Sequence, residues 1–306
     1  MTAALIIAAG QTKTSQGFEP MKRVGGISAV ERLILVFQLA GVDRVVVVGG
    51  PHDEGLEKHV AHKGVVFLRN EDENAEMLHS VKLGVAYLDG KCSRALITPV
   101  DVPLISAETI RRLMGANEPV SAPYCNGRPG HPLMLSAQLF PLALNYMGAG
   151  GLSAALRQAG MPPARIEVSD EGVSTDIQKQ ADYEPLIKAH SLGVVHPKSK
   201  LYLAKEVTFF GPGAYQLLSL VSETQSMRAA SMQMGISYSK AWKIIETMQH
   251  QLGFEVVSRK RGGREKGRTE ITQKGRALLV SYRAYIKECN TMMQTCFEKH
   301  FQELLL

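Results

Sequence analysis

Cysteine is scarce in this sequence, and long apolar runs are missing. The 306 residues hold four cysteines, at Cys92, Cys125, Cys289 and Cys296, with no CxxC pair and no histidines at zinc-ligand spacing. Neither a disulfide framework nor a structural zinc site is supported. Cys289 and Cys296 share a face of a predicted helix, which reads as burial or an interhelix contact. The longest apolar stretches, Ala3–Ala9 and Val45–Val48, fall far short of the ~20 residues that cross a bilayer, so no membrane span is expected. No basic residue precedes the first apolar run, which reaches a glycine within ten residues and reads as a first strand rather than a secretory leader. A cytoplasmic location is the expectation. Aromatic residues make up 6% and tryptophan occurs once. With 45% apolar and 21% charged residues there is ample material for buried cores, which excludes disorder and fibre. At ~150 residues per domain, two domains are expected.

The net charge of +6 is not spread evenly. Residues 1–190 carry 18 Lys+Arg against 20 Asp+Glu, and residues 191–306 carry 17 against 9. The first segment is therefore slightly acidic and the second strongly basic, the footprint either of nucleic-acid binding or of a solvated basic surface. The shift follows the helix-like stretch Ala181–His190 and coincides with SLGVVHPKSK, where Gly193 and Pro197 interrupt any period. The expected domains are 1–190 and 191–306.

The first segment alternates strand and helix. Apolar Ala3–Ala8 precedes a polar loop and then Ala29–Leu39, where Val30, Leu33, Ile34 and Phe37 have helical spacing. Further strands are read at Arg44–Val48, Val65–Leu68 and Arg94–Pro99, and helices at Leu56–Ala61 and Met77–Leu88. Strands apolar on both faces predict an α/β fold, a Rossmann-like mostly parallel sheet with helices on both faces. In such a fold ligands bind beyond the carboxyl ends of the strands. The first strand ends in Ala8-Ala9-Gly10, whose loop amides can cradle phosphate oxygens. The fourth ends in Thr98-Pro99-Val100-Asp101-Val102-Pro103, where Asp101 reads either as a turn residue or as a metal-holding carboxylate.

Six segments carry a resemblance: IIAAG at 6–10, LRNEDENAEMLHSVKLG at 68–84, ITPVDVPLIS at 97–106, GRPGHPLML at 127–135, GAGGLSAALR at 148–157 and DIQKQADYEPL at 176–186. In order and spacing they resemble the MobA-type nucleotidyltransferases, within them the cytidylyl- or guanylyltransferases acting on molybdopterin. The resemblance implies Asp101 and Asp176 as catalytic, Mg²⁺-binding carboxylates. It implies Asn70, Met77 and Ser80 along the base and phosphate crevice, and Gly130-His131-Pro132 near the second substrate. His131 would there polarise the substrate or hydrogen-bond its own loop. The implied reaction is attack of a terminal phosphate on the α-phosphorus of a nucleoside triphosphate, releasing pyrophosphate. The phosphate loop departs from the family pattern, with Thr14 in place of Arg, Gln16 in place of Gly and Glu19 in place of Lys. A Glu for a phosphate-binding Lys turns attraction into repulsion. Lys13, Lys22 and Arg23 are the nearby cations that could substitute if the loop repacks.

The basic segment turns helical at Gly213. Ser226 is a candidate N-cap for a short helix over Met227–Met234, which Gly235 terminates. From Ser237 a second helix repeats Ala241, Ile244, Ile245, Met248 and Leu252 at 3.6 spacing, leaving Tyr238, Ser239, Lys240, Lys243 and His250 outward. Trp242 is expected in the core rather than against the neighbouring hairpin. Helix, glycine turn and helix with a polar, basic start is the helix-turn-helix pattern that enters a major groove. Two short strands follow, joined by Arg259, Lys260, Arg261, Arg264, Lys266 and Arg268 against Glu265 alone, a basic wing facing solvent or phosphate. GPGAYQLLSLVSETQSMRAASMQMGISYSKAWKIIETMQHQLG, with VVSRKRGGREKGRTEITQKG after it, resembles the winged-helix DNA-binding domain of ModE and its LysR-type relatives. That resemblance implies double-stranded DNA as partner, with Ser237, Tyr238, Ser239, Lys240, Lys243 and the wing cations as contacts. The helical tail Gly275–Leu305 reads as a dimerisation helix, so a homodimer on a pseudo-palindromic site is expected. Two functional readings stand: a nucleotidyltransferase that also binds DNA, or a regulator whose degenerate transferase domain only senses a nucleotide or pterin.

Overall fold

The computed structural model describes residues 1–9, 19–61, 63–73, 76–177, 184–193, 195–260 and 268–305. The chain divides into two compact units, Met1–Val195 and His196–Leu306.

In the first unit the elements run β1 (Thr2–Ile7), a small hairpin β2 (Arg23–Val24) and β3 (Ile27–Ser28), α1 (Ala29–Leu39), β4 (Arg44–Gly49), α2 (Glu54–Val60), β5 (Val66–Arg69), α3 (Met77–Leu88) and β6 (Arg94–Pro99). They continue with α4 (Ala107–Gly115), β7 (Val120–Cys125), β8 (Arg128–Pro129), β9 (Leu133–Ser136), α5 (Phe140–Asn145), α6 (Gly151–Gln158), β10 (Ala164–Glu167) and α7 (Glu184–Gly193). One sheet is ordered β10-β7-β9-β6-β1-β4-β5, with β8 on β7. β1 pairs in parallel with β4 and β6, whereas β9 runs antiparallel between β6 and β7. Successive β1 side chains feed opposite faces. Ala4 and Ile6 join a core with Val30, Leu33 and Phe37 of α1, and Ala3, Leu5 and Ile7 join one with Val81 and Val85 of α3. The sheet is therefore buried on both sides, which explains the continuous apolar runs.

Two local choices hold helices in register. Gly84 lets α3 lie directly on β1, since a Cβ there would come within 2.2 Å of Leu5 Cδ1. α1 starts in a capping box: the Ser28 hydroxyl accepts from the Glu31 amide, and the Glu31 carboxylate accepts from the Ser28 amide. That carboxylate also pairs with Lys63. Burial pushes the Glu31 carboxyl up, but the bonds from Lys63 and Ser28 outweigh it and bring it from 4.5 down to about 2.

The second unit opens with a hairpin, β11 (Leu203–Ala204) and β12 (Thr208–Phe210), then α8 (Pro212–Thr224), α9 (Met227–Gln233), α10 (Tyr238–Leu252), a second hairpin β13 (Val257–Lys260) and β14 (Arg268–Ile271), and the long α11 (Gln273–Leu305). Leu217, Leu218, Val221, Ala230, Ala241, Ile245, Met248, Ile271, Leu279 and Tyr282 share one core. Ser226 and Ser237 cap α9 and α10, accepting from the amides of Ala229 and Lys240. No helix among the described residues is long and apolar enough to cross a membrane.

Replacing Ser28 by Ala should cost ~1 kcal/mol in urea denaturation, the usual worth of an N-cap. Because the folded Glu31 carboxyl sits below its ordinary value, its contribution is complete above about pH 4.5 and is lost as pH falls towards about 2. Glu31→Gln should therefore flatten the acid limb of the stability profile between those values.

Candidate functional site

The carboxyl edge of the sheet gathers the candidate residues of the first unit. β1 delivers Ala8 and Ala9, both buried, and the Ala8 amide donates to the Val48 carbonyl, 2.8 Å. Gly10, Thr14 and Gln16 lie outside the described residues. Glu19 and Lys22 are exposed, and the Lys22 amide donates to the Glu19 carbonyl, 2.8 Å. The position that departs most from the family pattern thus stands beside its nearest cation at the entry to β2.

Asp101 follows β6 by two residues and is 7% exposed. The Ile177 amide donates to the Asp101 carbonyl, 3.0 Å, so the main chain next to Asp176, 75 residues on, runs beside that of Asp101. Two oxygen donors of this kind suit a hard divalent cation that takes its remaining ligands from phosphate and water. Among the described residues no group of three or more His, Cys, Asp or Glu is placed to hold a metal ion.

Asn70 closes β5, its amide donating to the Gly49 carbonyl, 2.9 Å. Its Nδ2 donates to Ser80 Oγ, 3.0 Å. Ser80 is fully buried, so it braces Asn70 from beneath instead of facing the crevice. Its place on the inner face of α3 leaves it no route to solvent.

A cavity of about 420 Å³ opens at the ends of β1 and β6, lined among others by Met77, Tyr124, Gly130, His131, Gly151 and Ser153. Pro99, two residues before Asp101, is in its wall, while the carboxylates themselves are not. Gly130 packs against the backbone of Val173, where a Cβ would meet the carbonyl oxygen at 2.5 Å. The His131 amide donates to that same carbonyl, 2.7 Å. Burial pushes the His131 imidazole below its ordinary pKa, partly opposed by a bond to the Ile97 backbone, so the ring is neutral near pH 7. Its Nδ1 is buried with no partner among the described residues. With the other nitrogen on the backbone, Nδ1 is left as an acceptor. His131 therefore serves its loop and also offers one lone pair, but not a cation. The amino end of α6, with Gly150, Gly151 and Ser153, was not among the candidates. Its only sequence signal is the glycine-rich GAGG preceding a helical pattern.

A second cavity, about 460 Å³, is lined by Ser106, Thr109, Arg112, Asp170 and His190 among others. Its central groups are spent on structure. Asp170 accepts from the Ser106 amide and the Thr109 hydroxyl. His190 contacts buried Arg32 through Nδ1, 2.9 Å, and donates to the Ile105 carbonyl through Nε2, 2.8 Å. Burial lowers the pKa of both Arg32 and His190.

A family model for the MobA-like NTP transferase domain matches residues 4–163. The chain belongs to that family. Among solved structures, a nucleotidyl transferase from Methanothermobacter superposes with a TM-score of 0.53 at 23% identity, over 62% of this chain and 98% of that one, which speaks for the fold. A GlmU bifunctional protein from Geobacter sulfurreducens is 33% identical over 122 residues, 39% of this chain and 26% of that protein. The molybdenum transport protein ModE of Azotobacter vinelandii is 31% identical over 84 residues, 28% of this chain and 31% of that protein. The chain thus spans only about a quarter to a third of these curated relatives.

In the second unit, Ser237, Tyr238, Ser239, Lys240 and Lys243 are all exposed on the first turns of α10 or its cap. Arg259 lies opposite Thr269 in the hairpin, and Lys260 opposite Arg268. Arg261, Arg264 and Lys266 lie outside the described residues. Trp242 packs against the core of the second unit, as expected, and it also meets the hairpin. It is half-buried, and the Arg259 guanidinium sits over its ring at 3.6 Å from the centroid. Ala241, Ile245 and Met248 fill the inner face of α10, and the indole packs against that core while one ring face lies under Arg259.

Gly130→Ala should destabilise the first unit by ~1–3 kcal/mol in chemical denaturation, because the added methyl meets main chain that has nowhere to move.

Proposed function

We propose that the protein is a molybdenum-linked nucleotidyltransferase joined to a winged-helix DNA-binding domain. The observation that carries the first half is the main-chain bond that runs the chain next to Asp176 beside that of Asp101 at the carboxyl edge of a MobA-like sheet. The second half is supported by the likeness to ModE and by an exposed polar, basic helix start beside a basic hairpin.

On this reading a nucleoside triphosphate occupies the crevice formed by Ala8-Ala9-Gly10, Asn70 and Lys22, and a molybdopterin-like phosphate enters past Gly130 and His131. The terminal phosphate oxygen of the second substrate bonds to the α-phosphorus, the bond to the bridging oxygen breaks, and pyrophosphate leaves. Both partners are anionic, so the protein's task is positioning and charge neutralisation. Asp101 and Asp176 would hold Mg²⁺, which supplies the positive charge that two phosphate groups need in order to approach. His131, neutral and fixed by its loop, accepts a hydrogen bond from an N–H or O–H of the second substrate. Asn70, braced by Ser80, presents its backbone and side chain in one orientation.

In the second unit the first turn of α10 enters the major groove with Ser237, Tyr238, Ser239, Lys240 and Lys243, while Arg259, Lys260, Arg261, Arg264, Lys266 and Arg268 meet phosphates. The distal part of α11, with Met292 65% and Phe301 45% exposed, would pair with a second copy and create a two-fold reader. A competing reading, a regulator that binds nucleotide or pterin without turning it over, is favoured by one observation: exposed Glu19 stands where the family has a phosphate-binding Lys.

Purified protein with Mg²⁺, each nucleoside triphosphate and molybdopterin should release pyrophosphate, and Asp101→Ala should lower the rate about 10²-fold or more. Nucleotide binding without turnover, abolished by Asp101→Ala, would decide for the sensor. DNA affinity should fall steeply with salt, and neutralising Arg259, Lys260, Arg261 and Arg264 together should flatten the log–log slope by up to about 4 units. A slope that does not change would remove the wing from the interface.

A further inference from the structure

The pairing of Arg259 with Trp242 is more than packing. Arg259 is an exposed strand residue whose guanidinium carbon lies 3.6 Å from the Trp242 ring centroid, face-on and well inside the ~6 Å range of a cation–π contact. Tyr238, one turn earlier on α10, meets the same indole edge-on, with ring centroids 6.2 Å apart at 76°. The hairpin that carries Arg259 is itself fixed. The Thr269 amide donates to the Gln225 carbonyl at the end of α8, 3.0 Å, and the Thr272 amide to the Val256 carbonyl, 2.9 Å. The guanidinium is therefore held at both ends, by a braced strand and by an aromatic face.

The indole pays for this position. Its Nε1–H is buried with no hydrogen-bond partner among the described residues, a cost that leucine or phenylalanine at the same place would avoid. What tryptophan alone offers is the strongest π-face for a cation. A guanidinium stacked on a ring keeps its N–H groups directed outward in its own plane, available to a phosphate.

We propose that Trp242 is a positioning residue for DNA binding, holding Arg259 as a pre-oriented phosphate donor and so fixing the hairpin's contact relative to the helix that reads the groove. This rests on the DNA-binding reading above. The ligand is a backbone phosphate of duplex DNA. The gain comes from Arg259 losing little side-chain freedom when it binds.

The chain's single tryptophan makes the test direct. In the full-length protein without DNA, Arg259→Ala should raise acrylamide quenching of Trp242 emission by uncovering the ring face; unchanged quenching would overturn the stacking. With a labelled random-sequence duplex in a salt series, Arg259→Ala and Trp242→Leu should each weaken binding by about five-fold. Arg259→Ala should lower the salt slope by about 0.9, whereas Trp242→Leu, which keeps the cation, should leave the slope unchanged. The double variant should bind no worse than Arg259→Ala alone, and Trp242→Phe, the milder substitution, should recover at least half of the loss. Multiplicative effects in the double variant, with the Arg259 slope change present, would overturn the positioning role while leaving the DNA reading standing. A wild-type protein that does not bind the duplex, with quenching still raised in Arg259→Ala, would overturn both, the stacked pair then being structural only.

Discussion

Two main-chain hydrogen bonds decide what the first unit can be. The amide of Ile177 on the Asp101 carbonyl and the amide of His131 on the Val173 carbonyl draw three distant stretches of chain over one edge of the sheet. Each bond unites residues that local sequence has no means of connecting. Gly130 and Gly172 allow the approach, since a Cβ at Gly172 would come within 1.8 Å of the Leu104 carbonyl oxygen. Without that clasp the carboxylates would sit on separate loops and the cavity would lose a wall.

The one long antiparallel member of the sheet explains why His131 takes part. In a parallel strand the residues that follow it reach the carboxyl edge. β9 runs the other way, with Leu133 opposite Ile97 near the end of β6, so the residues that precede it do so. A turn that would otherwise lie at the amino edge is delivered to the ligand side, and its imidazole is desolvated there. Buried, neutral and anchored through one nitrogen, it contributes direction rather than charge. On the nucleotidyltransferase reading proposed above, the positive charge that phosphates require would come from elsewhere, from a bound cation and from residues such as Lys22.

Much of this was legible in the sequence. β1, β4 and β6 announce themselves because strands buried on both faces leave uninterrupted apolar runs, and α1 and α3 because their periodicity is clean. The capped start of α9 follows from Ser226 alone, and the sequence starts the next helix at Ser237, which is its cap. β7 was not legible: Ser121 and Pro123 break the apolar pattern of a strand that is nonetheless buried, because its pairing on both sides is a tertiary fact. Ser80 was expected in the crevice and lies beneath it, since the register of α3 on β1 is set by Gly84 against Leu5, a contact between residues far apart in sequence. Trp242 was expected in the core and packs against it. The Arg259 guanidinium that covers its face comes from the hairpin folded back across the helix, which helical spacing does not encode.

The two sides of the 420 Å³ cavity differ in how freely they can change. On the side of Gly130 and Val173, main chain meets main chain, so almost any substitution at Gly130 lowers folding stability. The helices contribute Met77, 42% exposed, and the half-buried Leu152 at the start of α6, side chains whose replacement alters shape without disturbing a backbone contact. The shape of this cavity can accordingly be altered from the helical side at little cost to the fold, while the glycine side admits almost no change.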